Sequence, residues 1–490
     1  MRRLLDRFGF FVIMAGHCVK LYNDKRQQKL RQSLISSNPT YAALPGKMFV
    51  ASARGAVVSA GLRLFFCVVF LLANIGFLRA QPAIEDIETI RIPADLSQVE
   101  FYLITVDVGD HVWDNFGHTA LRIVDDSTDT DLMFNWGMFD ISVGYLRFAA
   151  SFALGNMDYQ LGVLPPEWEL GRYRQEGRTV WQDRLRLTEA QKRILYQRLA
   201  WNIRPENIEY AYDYFFDNCT TRVRDYLDEA LNGTLASGST ALTPRTFRDE
   251  VLSHYASVPL LRFSLDILLN ERVDQRMTQW QQMFLPLQLR EQLQRQGLLA
   301  DSQTLMQFTP PAHGINPYWL AGLLMLPVLL LLAGVRRASI ASFSSQPGFT
   351  LLMPGLSYRL LGLIGLGIAL FSGVYGLMLS LGWWLSGHQD IHGNLNLLLF
   401  WPTDLLGFGV ALHWFLKGKA YSVSVTRKRL VVAYLMLHVL AALVYLVMGA
   451  TGLGEQRVGS LMLYVVPLLV LYSLLMLIAG VRPVRSLSFN

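Results

Sequence analysis

The stretch FFDNCTTRVRDYL (215–227) carries Cys219, the last of three cysteines in a chain of 490 residues. Asp217 and Asn218 precede it, both able to cap a helix by accepting from its first free N–H groups. Behind it Val223, Tyr226, Leu227, Ala230 and Leu231 recur at the spacing of one apolar helix face, and Gly233 reads as the residue that ends the helix. A thiol at a helix N-terminus meets the positive end of the macrodipole and unsatisfied N–H groups, which favours the nucleophilic thiolate. The same N–H groups offer a place for an oxyanion. The base that such chemistry needs is sought among His111, His118, His254 and His313. His118 stands out, because GHTALRIVD (117–125) alternates as a strand with His118, Ala120, Arg122 and Val124 on one face. A strand-borne histidine opposite a helix-borne cysteine is the arrangement of papain-like thiol enzymes. The plainer reading stands beside it: a packed thiol, a structural histidine, Asp217 and Asn218 as mere caps, and Arg122 reaching solvent.

The elements that would position these residues belong to a region, 85–312, with charges throughout and no long apolar run. FYLITVDVG (101–109), GHTALRIVD, DLMFNWGMF (131–139) and RTVWQDRLRL (178–187) read as strands. Thr188 caps a helix over EAQKRILYQRLAW, and 244–300 reads as helical. Elsewhere the composition shifts. The chain is 52% hydrophobic and only 17% charged. Five apolar stretches, about 318–335, 358–386, 394–416, 430–450 and 459–481, approach or exceed the ~20 residues that cross a bilayer. Arg336, Arg337, Arg359, Lys417, Lys419, Arg427, Lys428, Arg429, Arg482 and Arg485 fall on one side of them, and Arg457 alone on the other. The positive-inside rule puts the first set in the cytoplasm and the globular region outside it. LFFCVVFLLANIGFL (64–78) has the length and flanks of a signal segment, cleaved or retained as an anchor. The expected organisation is therefore a basic extension or mis-called start (1–57), a signal peptide or anchor (58–80), an exported domain (81–312) and a transmembrane domain (313–490). The net charge of +6 follows this topology and gives no reason to expect nucleic acid. His388 and His392 have the spacing of metal ligands, but no third ligand accompanies them, so no metal or other cofactor is expected.

Taken together, FGHTALRI (116–123), FNWGMFD (134–140), FALGNMDYQL (152–161) and DNCTTRVRDYLD (217–228) resemble the N-terminal periplasmic domain of the Lnb family of lipoprotein N-acyltransferases. The apolar C-terminal part, with HGNLNLLLFWP (392–402), is similar to that family's membrane domain. The resemblance covers about 95–485. It implies an α+β fold: a circularly permuted papain-like domain, like that of lecithin:retinol acyltransferase, fused to a membrane domain of five helices. It also implies transfer of an acyl chain from a phospholipid to the N-terminal amine of diacylglyceryl-cysteine lipoproteins. The place would be the bacterial cytoplasmic membrane, with multiple spans and residues 81–312 in the periplasm. Cys219 matches the nucleophile and His118 the base. Asn135 is the candidate orienting group, with Asp140, Asp217 and Asn218 as competitors. Asn218, Asp217, Arg122, His392 and Asn394 are expected to support the site or bind substrate.

Three rivals remain open on the sequence: a periplasmic NlpC-type cysteine peptidase or amidase, a non-enzymatic membrane-tethered binding or assembly module, and a transporter with an extracytoplasmic domain. Five polar-tipped helices exceed what the first needs. The second predicts an inert Cys219, and the third lacks a detectable inverted repeat.

Overall fold

The computed structural model describes residues 90–139, 145–155, 158–312, 314, 339–342 and 349–483, all within the compact unit Leu78–Asn490. The basic extension, the signal segment, Asp140, His313 and the apolar stretch 318–335 lie outside the described residues.

Strands β1 (Val99–Val106), β2 (His118–Asp125), β3 (Thr130–Met138), β4 (Asp158–Leu164), β5 (Val180–Leu185), β6 (Glu209–Ala211) and β9 (Leu299–Met306) form one antiparallel sheet in the order β6-β4-β3-β2-β1-β5-β9. Two more, β7 (Leu242–Thr246) and β8 (Arg276–Thr278), make a separate ribbon. Period-two alternation gives the main sheet two buried faces. On one, Leu103, Leu121, Phe134 and Trp136 pack against Leu195 and Leu199 of the helix Glu189–Asn202 and Val223 and Leu227 of the helix Cys219–Ala230. On the other, Ile104, Val106, Ala120, Met133 and Val180 pack around Tyr173, carried by the helix Pro166–Gln175.

The expected strands and the Thr188 cap are present, the latter as a full capping box with Gln191. The region 244–300 is less helical than its sequence reads. It contains β7, β8 and the start of β9, a polar edge strand whose largely exposed residues show no apolar alternation. The Cys219 helix ends at Ala230. Asn232, with φ 53°, already takes the left-handed turn that was expected of Gly233.

Of the apolar stretches, the described residues contain two helices long and apolar enough to cross a membrane, Gly355–Leu385 and Val425–Thr451. The stretch 394–416 is not one continuous helix. Gln389–Leu398 and Pro402–Lys417 meet at a bend of 56°, where Pro402 cannot continue the hydrogen-bond ladder. The last stretch is a shorter helix, Gly459–Leu475, with Pro467 inside it and a π-turn after it.

Candidate functional site

Two glycines shape the floor of the site. Gly117, just before His118, has φ 79°, and a Cβ there would lie 2.6 Å from the Val106 carbonyl oxygen. Gly137, with φ 87°, lies where β3 leaves the ladder. Pairing of β3 with β2 stops at Asn135, and its register with β4 shifts between Asn135 and Met138. The irregularity opens the sheet beside the first residues of β2.

Cys219 enters at this opening. Asn218 caps its helix: its Oδ1 accepts from the N–H groups of Thr220 (2.8 Å) and Thr221 (2.9 Å). The Asn218 Nδ2 donates to the carbonyls of Tyr214 and Phe284. The Cys219 sulfur lies 3.8 Å from the Thr220 hydroxyl. Thr220 is in turn 3.0 Å, hydroxyl to hydroxyl, from Thr119. The aromatic rings of Tyr159 and Tyr212, stacked 4.3 Å apart, flank Gly137 next to the thiol.

His118 is held from the other face of the sheet. Its Nε2 donates to Asn135 Oδ1 at 3.0 Å, an oxygen that also accepts from the Tyr173 hydroxyl at 3.4 Å. This bond fixes the tautomer, so the proton is on Nε2 and Nδ1 carries the lone pair. Among the described residues His118 Nδ1 has no hydrogen-bond partner, and the Nδ2 of Asn135, itself 0% exposed, has none either.

The structure links the thiol helix to the residue next to His118 through Thr220 and Thr119, but by a different route from simple opposition. By parity His118 shares the Tyr173 face, while the Cys219 helix covers the face of Thr119 and Leu121. The β2–β3 ladder ends between them, at Asn135, which bonds His118, and Gly137, which lies against Cys219. No hydrogen bond joins Cys219 and His118 directly among the described residues, a looseness familiar in thiol sites without substrate.

The electrostatics also depart from the helix-dipole expectation. Burial raises the Cys219 pKa above the usual thiol value of 9.0, outweighing the hydrogen bonds from Thr119 and Thr220 that favour the thiolate. Burial, then the cations Arg172 and Arg178, lower His118 to about 3, against the opposing effect of its Asn135 bond. At neutral pH both members rest uncharged.

The supporting residues divide. Asn218 is a fully engaged cap. Asp217 pairs with Arg222 through a 2.7 Å bond and so braces the first turn. Arg122 turns away to a bidentate pair with Asp131 (2.7 and 2.6 Å) and to Gln182. His392 and Asn394 belong to the junction with the apolar helices. His392 donates to the Ser386 carbonyl, and Asn394 donates to the carbonyls of Ile267 and Leu268. His388 donates to the Phe152 carbonyl at 2.7 Å. Among the described residues no group of three His, Cys, Asp or Glu side chains could hold a metal. Thr119, Tyr173, Arg172 and Arg178 were not foreseen, because strand register and helix docking, not local spacing, bring them in.

A sheet-rich domain with a capped cysteine at a sheet opening and a histidine bonded to an asparagine, joined to apolar helices, describes a mixed helix-and-sheet protein with candidate membrane spans. Residues 88–251 match the family described as the Lnb N-terminal periplasmic domain. With the candidate spans, that makes the chain a membrane protein with a periplasmic part, and points to a role in lipoprotein processing. No curated protein and no solved structure matches the chain.

Proposed function

We propose that the protein is a lipoprotein N-acyltransferase of the cytoplasmic membrane, multi-pass, with its Cys219 domain in the periplasm. It moves an acyl chain from a phospholipid, through a thioester on Cys219, to the N-terminal amine of diacylglyceryl-cysteine lipoproteins. The observation that carries this reading is a sulfur beside Thr220, whose hydroxyl meets that of Thr119, the residue after His118, while the His118 Nε2 is engaged by Asn135 and its Nδ1 makes no hydrogen bond among the described residues.

His118 Nδ1 takes the thiol proton as sulfur attacks the ester carbon. The C–O bond breaks, and the lyso-lipid oxygen leaves with that proton. The lipoprotein amine then attacks the thioester carbon, its proton passes to His118, and the returning sulfur takes it, leaving an amide. The Asn218 cap occupies the N–H groups of Thr220 and Thr221, so the N–H of Cys219 itself is the donor suited to the oxyanion. A neutral resting pair suits a site that must wait for a lipid. A protonated thiol resists stray oxidation. The apolar helices supply proximity for two lipid-anchored substrates.

The test is transfer of a labelled acyl chain from phospholipid to a diacylglyceryl-cysteine peptide by the full-length protein, followed by mass spectrometry. Label on the peptide amine, lost in Cys219→Ala and His118→Ala, supports the reading. Cleavage of a cell-wall peptide with no lipid transfer would replace it with the peptidase reading. A Cys219 that neither transfers nor reacts would leave a binding module.

A further inference from the structure

The turn after the apolar helix Gly355–Leu385 and the first arm of the bent pair carry the motif GHQDIHGNLN (387–396), whose residues bond to the sheet domain. Gly387 N–H donates to the Leu154 carbonyl at 2.8 Å, and the Ser386 hydroxyl donates to that of Ala153 at 2.7 Å. Asn270 donates through its N–H to the Asp390 carbonyl (2.6 Å) and through Nδ2 to the carbonyls of Gln389 and His392. The segment is thus gripped on both sides. Its one acidic side chain, Asp390, points elsewhere: Oδ2 accepts from the hydroxyl of Tyr214, five residues before Cys219.

Tyr214 is rigidly tied to the nucleophile. It belongs to a tight turn in which Asp213 Oδ1 accepts from the N–H groups of Phe215 (2.8 Å) and Phe216 (2.9 Å), and Asp213 bridges to Asp217. Its ring lies against Phe215, His388 and Phe152 at 4.5, 5.1 and 6.3 Å between centroids. Its carbonyl accepts from Asn218 Nδ2 at 3.0 Å, which orients the amide whose oxygen caps Thr220 and Thr221. Thr220 in turn touches the sulfur. Hydrogen bonds from Asp390 to the Tyr214 hydroxyl and from the Tyr214 carbonyl through Asn218 to Thr220, joined by the covalent frame of Tyr214, therefore link the membrane half to the turn that carries the thiol. A carboxylate held this close to apolar helices is costly unless it has a task, and holding a phenol is such a task.

We infer that Asp390 is a positioning residue for Cys219: the membrane half, through Asp390 and Tyr214, sets the cap that aims the nucleophile. The inference extends the proposed function, since it concerns Cys219 as nucleophile, but its first readout needs no acyl transfer. It also gives a reason for the fusion of the two halves, because the sheet domain alone would lack the contact that seats its own thiol.

The experiment measures, in the full-length protein, the rate at which iodoacetamide alkylates Cys219, read by peptide mass, together with kcat and KM for acyl transfer. Asp390→Leu and Tyr214→Phe remove the bond, Asp390→Asn keeps an acceptor, and Arg457→Gln cuts a different contact between the halves, that of Arg457 with Asp249. The expected result is a change of about tenfold in alkylation rate and a similar fall in kcat for the first two, with KM within about twofold. Asp390→Asn should stay within about threefold of wild type, and Arg457→Gln should match it. Unchanged alkylation in Asp390→Leu and Tyr214→Phe would overturn the inference, as would an equal change in Arg457→Gln. Altered alkylation in a protein whose wild type transfers no acyl chain would uphold the positioning role and sink the acyltransferase reading.

Discussion

Two polar clusters of this protein each contain a histidine, yet they are built on opposite terms. In the membrane half Asp404 is saturated. Its Oδ1 accepts from Tyr434 (2.6 Å) and His438 (2.9 Å), its Oδ2 from Ser372, and Trp401 stacks on the His438 ring at 3.8 Å. It fastens the second arm of the bent pair to both long helices, as polar groups do between helices in lipid. In the sheet domain the His118 cluster is left incomplete. Among the described residues Nδ2 of Asn135 has no partner and His118 bonds through Nε2 alone, and the pKa values of His118 and Cys219 are shifted away from their charged forms. A satisfied network holds a fold together; an unsatisfied one keeps capacity for a substrate.

The largest effect that sharpens this contrast is at the thiol. Cys219→Ala should reduce acyl transfer by about a thousandfold or more, and His118→Ala by about a hundredfold or more, with melting in detergent little changed. Asn135→Ala frees the imidazole and should cost about a hundredfold in kcat, more than in KM. Asp404→Ala should do the reverse. It strands three donors, lowers stability by about 3 kcal/mol, and leaves transfer per folded molecule within about threefold. Loss of transfer in an Asp404→Ala protein of unchanged stability would erase the distinction between the clusters.

The smallest effects are in pH. The raised thiol pKa means that Cys219 alkylation should be slow at neutrality, rise about tenfold per pH unit and level off only above pH 9.0. A rate already at its plateau at pH 7 would mean a thiolate, and the burial argument would fail. His118 works on stability. Its folded pKa, about 3, lies below the 6.5 of the unfolded chain, so protons bind the unfolded form first. Its contribution is intact above pH 6.5 and is lost as pH falls toward 3. His118→Gln should flatten the acid limb of stability over that window.

The sequence by itself determined the residue types and much of their local setting. Alternation in GHTALRIVD placed His118 and Ala120 together, and helical spacing put Val223, Tyr226 and Leu227 in the core. The Asn–Cys junction announced a capped helix start, and hydropathy marked the apolar helices. All of these depend on neighbours within a few residues, which periodicity records. Other features needed distant parts of the chain. The polar β9 is a strand only because β5 offers it an edge, and the bend before Pro402 sits where a hydropathy profile sees one continuous stretch. The helix-dipole argument for a thiolate failed because burial depends on what packs over the sulfur, not on where it stands in its helix. The end of the β2–β3 ladder at Asn135, between the residue that orients His118 and the glycine against Cys219, is a property of three strands at once. So is the bond from Asp390 to Tyr214, 176 residues apart, which only the docking of the two halves creates.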